Sequence, residues 1–180
     1  RRRPQKNHST LRKMKLAITI PVYNEEKVIR GVINGLPKKL KGVSKIEVIA
    51  VDDGSSDNST AEIKKTKAIL LKHPVNLGAG ATTATGLEAA KIIGSDIILT
   101  MDGDGQHAPS DIRKVISPIL KNKADVVVGT RLKESTGMPI IKKIGNTGLN
   151  VITLLLSGKW TSDSQSGFKA FTKKADGKGE

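Results

Sequence analysis

The feature that most constrains this chain is an alternation between two hydrophobic periods. Short β-branched apolar runs, each halted by Pro, Asp or Gly, are separated by stretches whose apolar residues recur at helical spacing. Residues 16–20 stop at Pro21, and residues 45–51 (KIEVIAV) run into Asp52 and Asp53. Residues 69–71, 96–101 (DIILTM) and 125–129 (DVVVG) complete the strand candidates. Between them, Val28, Ile29, Val32, Ile33 and Leu36 share one helical face, and residues 61–68, 79–93 and 110–120 carry three more helices. The predicted order is β-α-β-α-β-α-β-α-β. Strands joined by helices run parallel, so the fold class is α/β, with a mainly parallel central sheet and helices on both faces.

In such a sheet ligands bind beyond the carboxyl ends of the strands. The loops there hold residues 21–26 (PVYNEE), 52–57 (DDGSSD), 76–80 (NLGAG) and 102–106 (DGDGQ), the most polar and glycine-rich points of the sequence. The chemistry is therefore expected where four strand ends converge.

Composition narrows the functions available. A chain of 180 residues suits one domain, and the absence of cysteine excludes disulfides, thiolate metal sites and a cysteine nucleophile. Any metal must sit on oxygen or imidazole. No apolar run of membrane-spanning length occurs, and the first 15 residues lack a signal-peptide core, so a cytosolic protein is expected. The net charge is +14, and residues 1–15 supply half of it, with seven Lys/Arg and no acid. They read as a basic, disordered arm, by itself a plain solvated one, that could meet an anionic membrane surface or nucleic acid. Only Tyr23, Trp160, Phe168 and Phe171 are aromatic, too few for a base-stacking platform, so nucleic acid ranks behind a lipid surface. Residues 16–171 read as one domain, with a polar loop at 131–139, an amphipathic helix at 140–156 and an extended segment at 161–171. Residues 172–180 have no apolar face and are expected to be disordered.

Asp102 and Asp104 stand two apart at the end of an apolar strand, with Gly103 and Gly105 interleaved. Paired carboxylates repel unless a hard divalent cation joins them, and Mg²⁺ or Mn²⁺ typically takes one or two carboxylates plus waters and substrate phosphates. Gln106 and His107 are neutral candidates to join them; the alternative is an ordinary Asp/Gly turn. Asp53 is placed to accept a hydrogen bond from a nucleobase or ribose hydroxyl, whereas Asp57 reads as a helix cap. Tyr23 either stacks on a base or belongs to the core. Gly78-Ala79-Gly80 is part of a dinucleotide fingerprint and supports a rival dehydrogenase reading. Thr83 stands where the third glycine belongs, however, and a glycine-rich helix start packed on the sheet is the preferred meaning.

IPVYNE (20–25), VDDGSSD (51–57), NLGAG (76–80), DGDGQH (102–107), GTR (129–131) and DSQSGFKAF (163–171) occur in the order and spacing of family-2 glycosyltransferases. Across residues 16–171 the chain resembles their polyprenyl-phosphate members, such as dolichyl-phosphate mannose and glucose synthases. The resemblance implies a GT-A, Rossmann-like fold and inverting transfer of a hexose from a GDP- or UDP-sugar to a polyprenyl or dolichyl phosphate, at the cytosolic (inner) membrane face. It implies that Pro21, Tyr23, Glu25, Val51, Asp53, Asp102, Gly103, Asp104 and Gln106 bind the nucleotide sugar, with Asp102, Asp104 and Gln106 at the metal. It also implies that Arg131 and Lys142 meet acceptor phosphate and that Asp163, with Arg131, serves catalysis. Lys142 stands where relatives often have arginine, keeping the charge without the bidentate fork. Relatives continue past SGFKAF with a helix and a basic segment, so this chain reads as a shortened form. The alternative function is a basic membrane- or nucleic-acid-binding module of the same fold with impaired catalysis.

Overall fold

In the computed structural model, which describes residues 13–129 and 167–173, the alternating runs form a six-stranded sheet flanked by four helices. The elements are β1 (Met14–Val22), α1 (Ile29–Gly35), β2 (Val43–Asp52), α2 (Ser59–Lys64), β3 (Ile69–Lys72), α3 (Ala79–Ile92), β4 (Ile97–Thr100), α4 (Asp111–Leu120), β5 (Val126–Val128) and β6 (Lys169–Thr172). The strand order is β3-β2-β1-β4-β6-β5. β1 pairs in parallel with β2 and with β4, and β2 with β3; β6 is antiparallel to both β4 and β5.

Side chains alternate across a strand, and that period sorts the core into two layers. Leu16, Ile18 and Ile20 of β1 face Ile29 and Ile33 of α1, Ile63 of α2, and Ile112, Ile116 and Ile119 of α4. Ala17 of β1, with Ile49 and Val51 of β2, Ile98 of β4 and Phe171 of β6, faces Leu87 and Ala90 of α3. Three helices thus cover one face and α3 covers the other. Ile18 is fully buried, and burying a side chain of that size contributes about 1.5–3 kcal/mol. Gly86 lets α3 approach the sheet, because a Cβ there would lie 3.1 Å from Thr19 Cβ.

Three expectations are adjusted. β1 begins at Met14, so Met14 and Lys15 of the segment assigned to the basic arm are strand, bonded through Met14 N–H to Gly42 O at 3.2 Å. α2 ends at Lys64 rather than residue 68, because the Thr66 hydroxyl donates to Ile63 O at 2.7 Å and accepts from Ala68 N–H at 3.1 Å, closing the helix. Thr172, assigned to the tail, is paired with Ile97 in β6. Residues 1–12 of the arm, 174–180 of the tail and the 140–156 helix lie outside the described residues.

Candidate active site

Parallel β1, β2, β3 and β4 end at one edge of the sheet, and the loops that follow enclose a cleft of about 450 Å³. Its wall includes Pro21, Tyr23, Glu25, Asp53, Gly78, Asp102, Gly103 and Asp104. A second groove, of about 690 Å³, opens near the start of β2 and β3. It is lined by Lys38, Lys45, Lys65 and Lys67, with Glu47 as its carboxylate. Only the first combines polar loops with convergent carboxylates.

The loops after β1 and β2 are stitched together. Asn24 adopts φ 55°, its Oδ1 accepts from Ser56 N–H at 2.9 Å, and its own N–H donates to Ser55 Oγ at 3.0 Å. Glu25 N–H donates to Ser59 Oγ at 2.7 Å, and Glu26 N–H donates to Asp57 Oδ2 at 3.0 Å. Asp57 also accepts from Ser59 N–H at 2.9 Å, but the N-cap of α2 is Asn58, so Asp57 stands one residue before the cap and serves as a clamp between loops. Burial raises its pKa, but the Ser59 and Glu26 hydrogen bonds outweigh that and hold the carboxyl below its ordinary value. Tyr23 is left 49% exposed at the cleft, which settles its alternatives against a core position.

Adjacent aspartates Asp52 and Asp53 do different work because successive side chains point to opposite sides. Asp52 is buried, accepts from Ser55 N–H at 2.9 Å and from the Thr60 hydroxyl, and lies 4.0 Å from Lys72 Nζ. It fastens the loop to α2. Asp53 Oδ1 accepts from Leu77 N–H at 2.9 Å, Asp53 Oδ2 accepts from Gly78 N–H at 2.8 Å, and His73 Nδ1 lies 2.7 Å from Oδ1. Desolvation pushes the carboxyl up, but the bonds from Leu77, His73, Thr82 and Gly78 together bring it below the ordinary range.

That arrangement removes the dinucleotide reading. A pyrophosphate on this fingerprint would sit against the backbone N–H groups that open α3. Here the Asp53 carboxylate sits at that end, holding the N–H of Gly78, the residue that caps α3, and of Leu77 before it, so a pyrophosphate there would meet a fixed negative charge. The meaning preferred for the glycines also changes: a Cβ at Gly78 or Gly80 would meet nothing within 4 Å, and the glycine packed on the sheet is Gly86.

Asp102 and Asp104 follow β4 and both line the cleft, with Gly103 pressed against Pro21 O. Asp104 Oδ1 accepts from Gln106 N–H at 2.9 Å. Across the cleft, burial raises the Glu25 carboxyl first, and the charges of Asp104 and Asp57 raise it further. A site where carboxylates hinder one another's ionisation fits a cation and its anionic ligand. Among the described residues, no three His, Cys, Asp or Glu side chains converge as a ready-made metal cage. The set fits a cation that completes its shell with substrate phosphates.

Two expected site residues stand elsewhere. Val51 is buried against α3, because the register that points Ile49 that way points Val51 with it. Gln106 is exposed at the turn and does not line the cleft wall. Arg131, Lys142 and Asp163 lie outside the described residues. Sequence reasoning missed what holds Asp102: His107 Nε2 lies 3.3 Å from its Oδ2, and the His107 ring stacks on Phe168 with centroids 4.7 Å apart. It also missed His73, whose only sequence signal was its place one residue beyond a strand.

Residues 17–179 match the family model for glycosyl transferase family 2. The chain belongs to that family. This family-2 chain is 44% identical, over 88% of its length and 69% of the relative's, to a UDP-N-acetylglucosamine--dolichyl-phosphate N-acetylglucosaminyltransferase of Methanococcus voltae. It is 30% identical to a dolichol-phosphate mannosyltransferase of Pyrococcus furiosus, covering 89% of this chain and 47% of that protein. Its fold is the GT-A fold of glucosyl-3-phosphoglycerate synthase from Mycobacterium tuberculosis, solved with Mn²⁺ and UDP-glucose. The TM-score is 0.62 at 20% identity, over 96% of this chain and 62% of that one. The family-2 chain thus spans 47–69% of the length of these three proteins. Among its described residues, no helix is long and apolar enough to cross a membrane.

Proposed function

We propose that the chain is the nucleotide-sugar-binding part of an inverting glycosyltransferase that moves a hexose from a nucleoside diphosphate sugar to a polyprenyl or dolichyl phosphate. The observation that carries this reading is the Asp102–Asp104 pair lining one cleft with Glu25 and Tyr23, in a chain of this family. The name and 44% identity of the Methanococcus voltae relative favour a UDP-N-acetylhexosamine donor over a GDP-sugar.

In this reading Tyr23 flanks the base, Asp53 accepts from the nucleoside, and Asp102 and Asp104 face the diphosphate. A divalent cation held by Asp102 and Asp104, Mg²⁺ or Mn²⁺, would supply neutralisation of the departing diphosphate charge. An acceptor phosphate oxygen attacks the anomeric carbon from the face opposite the leaving group. The new carbon–oxygen bond forms as the bond to the β-phosphate breaks, and the nucleoside diphosphate leaves with the bonding pair. The acceptor is a phosphate monoester with a second pKa of about 6, already ionised near neutrality, so no strong base is needed. Arg131 and Lys142 are proposed to hold acceptor phosphate and Asp163 to orient the acceptor.

The protein is proposed to work peripherally at the inner face of a membrane. β1 begins at the end of the sheet opposite the cleft, where its register pairs Lys15 with Lys45. The basic arm therefore joins the fold at the pole away from the carboxylates, which supports a loose tether to anionic lipid rather than a part of the site.

The test is calorimetric titration with UDP and GDP, each with and without Mn²⁺, followed by sugar transfer to a short polyprenyl phosphate. Binding that requires Mn²⁺ and is weakened at least tenfold by Asp104→Asn supports the reading. Equal affinity with and without metal removes the cation, and binding of neither nucleotide removes the function. Arg131→Ala should raise the acceptor KM, and Asp163→Asn should lower transfer, both leaving nucleotide affinity unchanged.

A further inference from the structure

We propose that His73 is a positioning residue for nucleoside recognition, holding the Asp53 carboxylate from behind with the help of Thr85; this rests on the reading of the cleft as a nucleoside diphosphate site. His73 lies immediately after β3, where its N–H donates to Asp52 O at 2.8 Å. Its side chain is 11% exposed, and both ring nitrogens have partners: Asp53 Oδ1 2.7 Å from Nδ1 and Thr85 Oγ1 3.0 Å from Nε2. An ionised carboxylate only accepts, so Nδ1 carries the proton, and in the neutral ring Nε2 accepts from the Thr85 hydroxyl. A chain of hydrogen bonds thus runs from α3 through the imidazole to the wall of the cleft.

The imidazole does not line the cleft, whereas Asp53 does. His73 therefore acts on a ligand only through Asp53. A carboxylate offers about four acceptor positions. On Asp53, His73 and Leu77 fill those of Oδ1, and Gly78 fills one of Oδ2. Thr82 also bonds this carboxylate, so a donor in the cleft, a ring N–H or ribose hydroxyl of the nucleoside, shares the carboxylate edge with it. If the Nδ1–H bond is removed, the carboxylate loses its imidazole support, keeps only the Leu77 and Gly78 N–H groups and Thr82, and can turn about its Cβ–Cγ bond. The edge it offers the cleft then loses its aim. The diphosphate end of the site, at Asp102 and Asp104, is untouched by this change.

The experiment compares UDP and GDP with inorganic pyrophosphate, all titrated by calorimetry with Mn²⁺, on the wild-type chain and on His73→Ala, His73→Asn and Thr85→Val. His73→Ala should weaken the tighter nucleotide about tenfold and leave pyrophosphate affinity unchanged. His73→Asn places an amide N–H where Nδ1–H stood and should recover most of the loss. Thr85→Val frees Nε2 and should weaken the nucleotide about threefold. Wild-type nucleotide affinity in His73→Ala, or equal losses for nucleotide and pyrophosphate, overturns the proposal. Should His73→Ala fail to fold, failure of His73→Asn to fold or to bind nucleotide near wild-type strength, or no nucleotide-specific loss in Thr85→Val, overturns it equally. A wild-type chain that binds neither nucleotide overturns the reading of the cleft itself, a result distinct from a silent His73.

Discussion

Gly167 backs directly onto the Asp102 carboxylate: a Cβ at position 167 would overlap Oδ1 and lie 2.6 Å from Cγ and 2.7 Å from Oδ2. Gly167 cannot retreat, because its carbonyl accepts from Thr100 Oγ1 at 2.9 Å and the next carbonyl, of Phe168, accepts from Gly129 N–H at 2.8 Å. Asp102 can move, since the overlapped atoms end a short side chain. Gly167→Ala should therefore keep the circular-dichroism spectrum of the wild type and weaken Mn²⁺-dependent nucleotide binding about tenfold, or about 1.4 kcal/mol. Unchanged binding would show that Asp102 does not need its observed place.

Glu25 should trade stability for function. Its folded pKa is raised above 4.5, by burial first and by Asp104 and Asp57 next. Between 4.5 and the raised value the folded chain holds more protons than the unfolded one, so stability falls as pH rises through that window. Above it, Glu25→Gln should raise the melting temperature by up to about 3 °C, the scale of a partly exposed like-charge contact. The gain should vanish below pH 4.5, and nucleotide affinity should drop. A melting temperature that falls at neutral pH would contradict the repulsion.

Asp53 and Asp57 give the opposite limb. Both folded values lie below the ordinary 3.8. Their stabilisation is complete above the unfolded value and is lost as pH falls through the depressed folded values, where the unfolded chain binds more protons. Urea midpoints should therefore decline below about pH 4. Asp53→Asn turns an amide donor toward N–H groups that need acceptors and should cost about 2–4 kcal/mol at neutral pH. The acid limb should be shallower in that variant.

Gly54 is a second fixed point. It adopts φ +70°, and a Cβ there would lie 2.6 Å from Val75 C and 2.8 Å from Asn76 N, both backbone atoms. Left-handed geometry costs an alanine about 1–2 kcal/mol, and displacing the 75–76 backbone adds to it. Gly54→Ala should lower stability by about 3 kcal/mol in denaturant titrations. Because Asn76 and Gly78 belong to the cleft wall, nucleotide affinity should fall as well.

The sequence by itself determined the order of strands and helices down to β5, because two periods of apolar residues and their Pro, Gly and Asp stops are local properties. It also placed Asp53, Asp102 and Asp104 at strand ends, which parallel connections then bring to one edge. Tertiary structure alone decided the rest. β6 slots antiparallel between β4 and β5, a pairing of Thr172 with Ile97 that no local pattern encodes. Which glycine packs, Gly86 rather than Gly78 or Gly80, depends on where α3 meets Thr19. Asp53 draws its donors from residues 20, 24 and 25 positions away, and Glu25 meets the field of Asp104 only because β1 lies beside β4. Hydrogen bonds and charges act through space over a few ångströms, whereas periodicity is written along the chain.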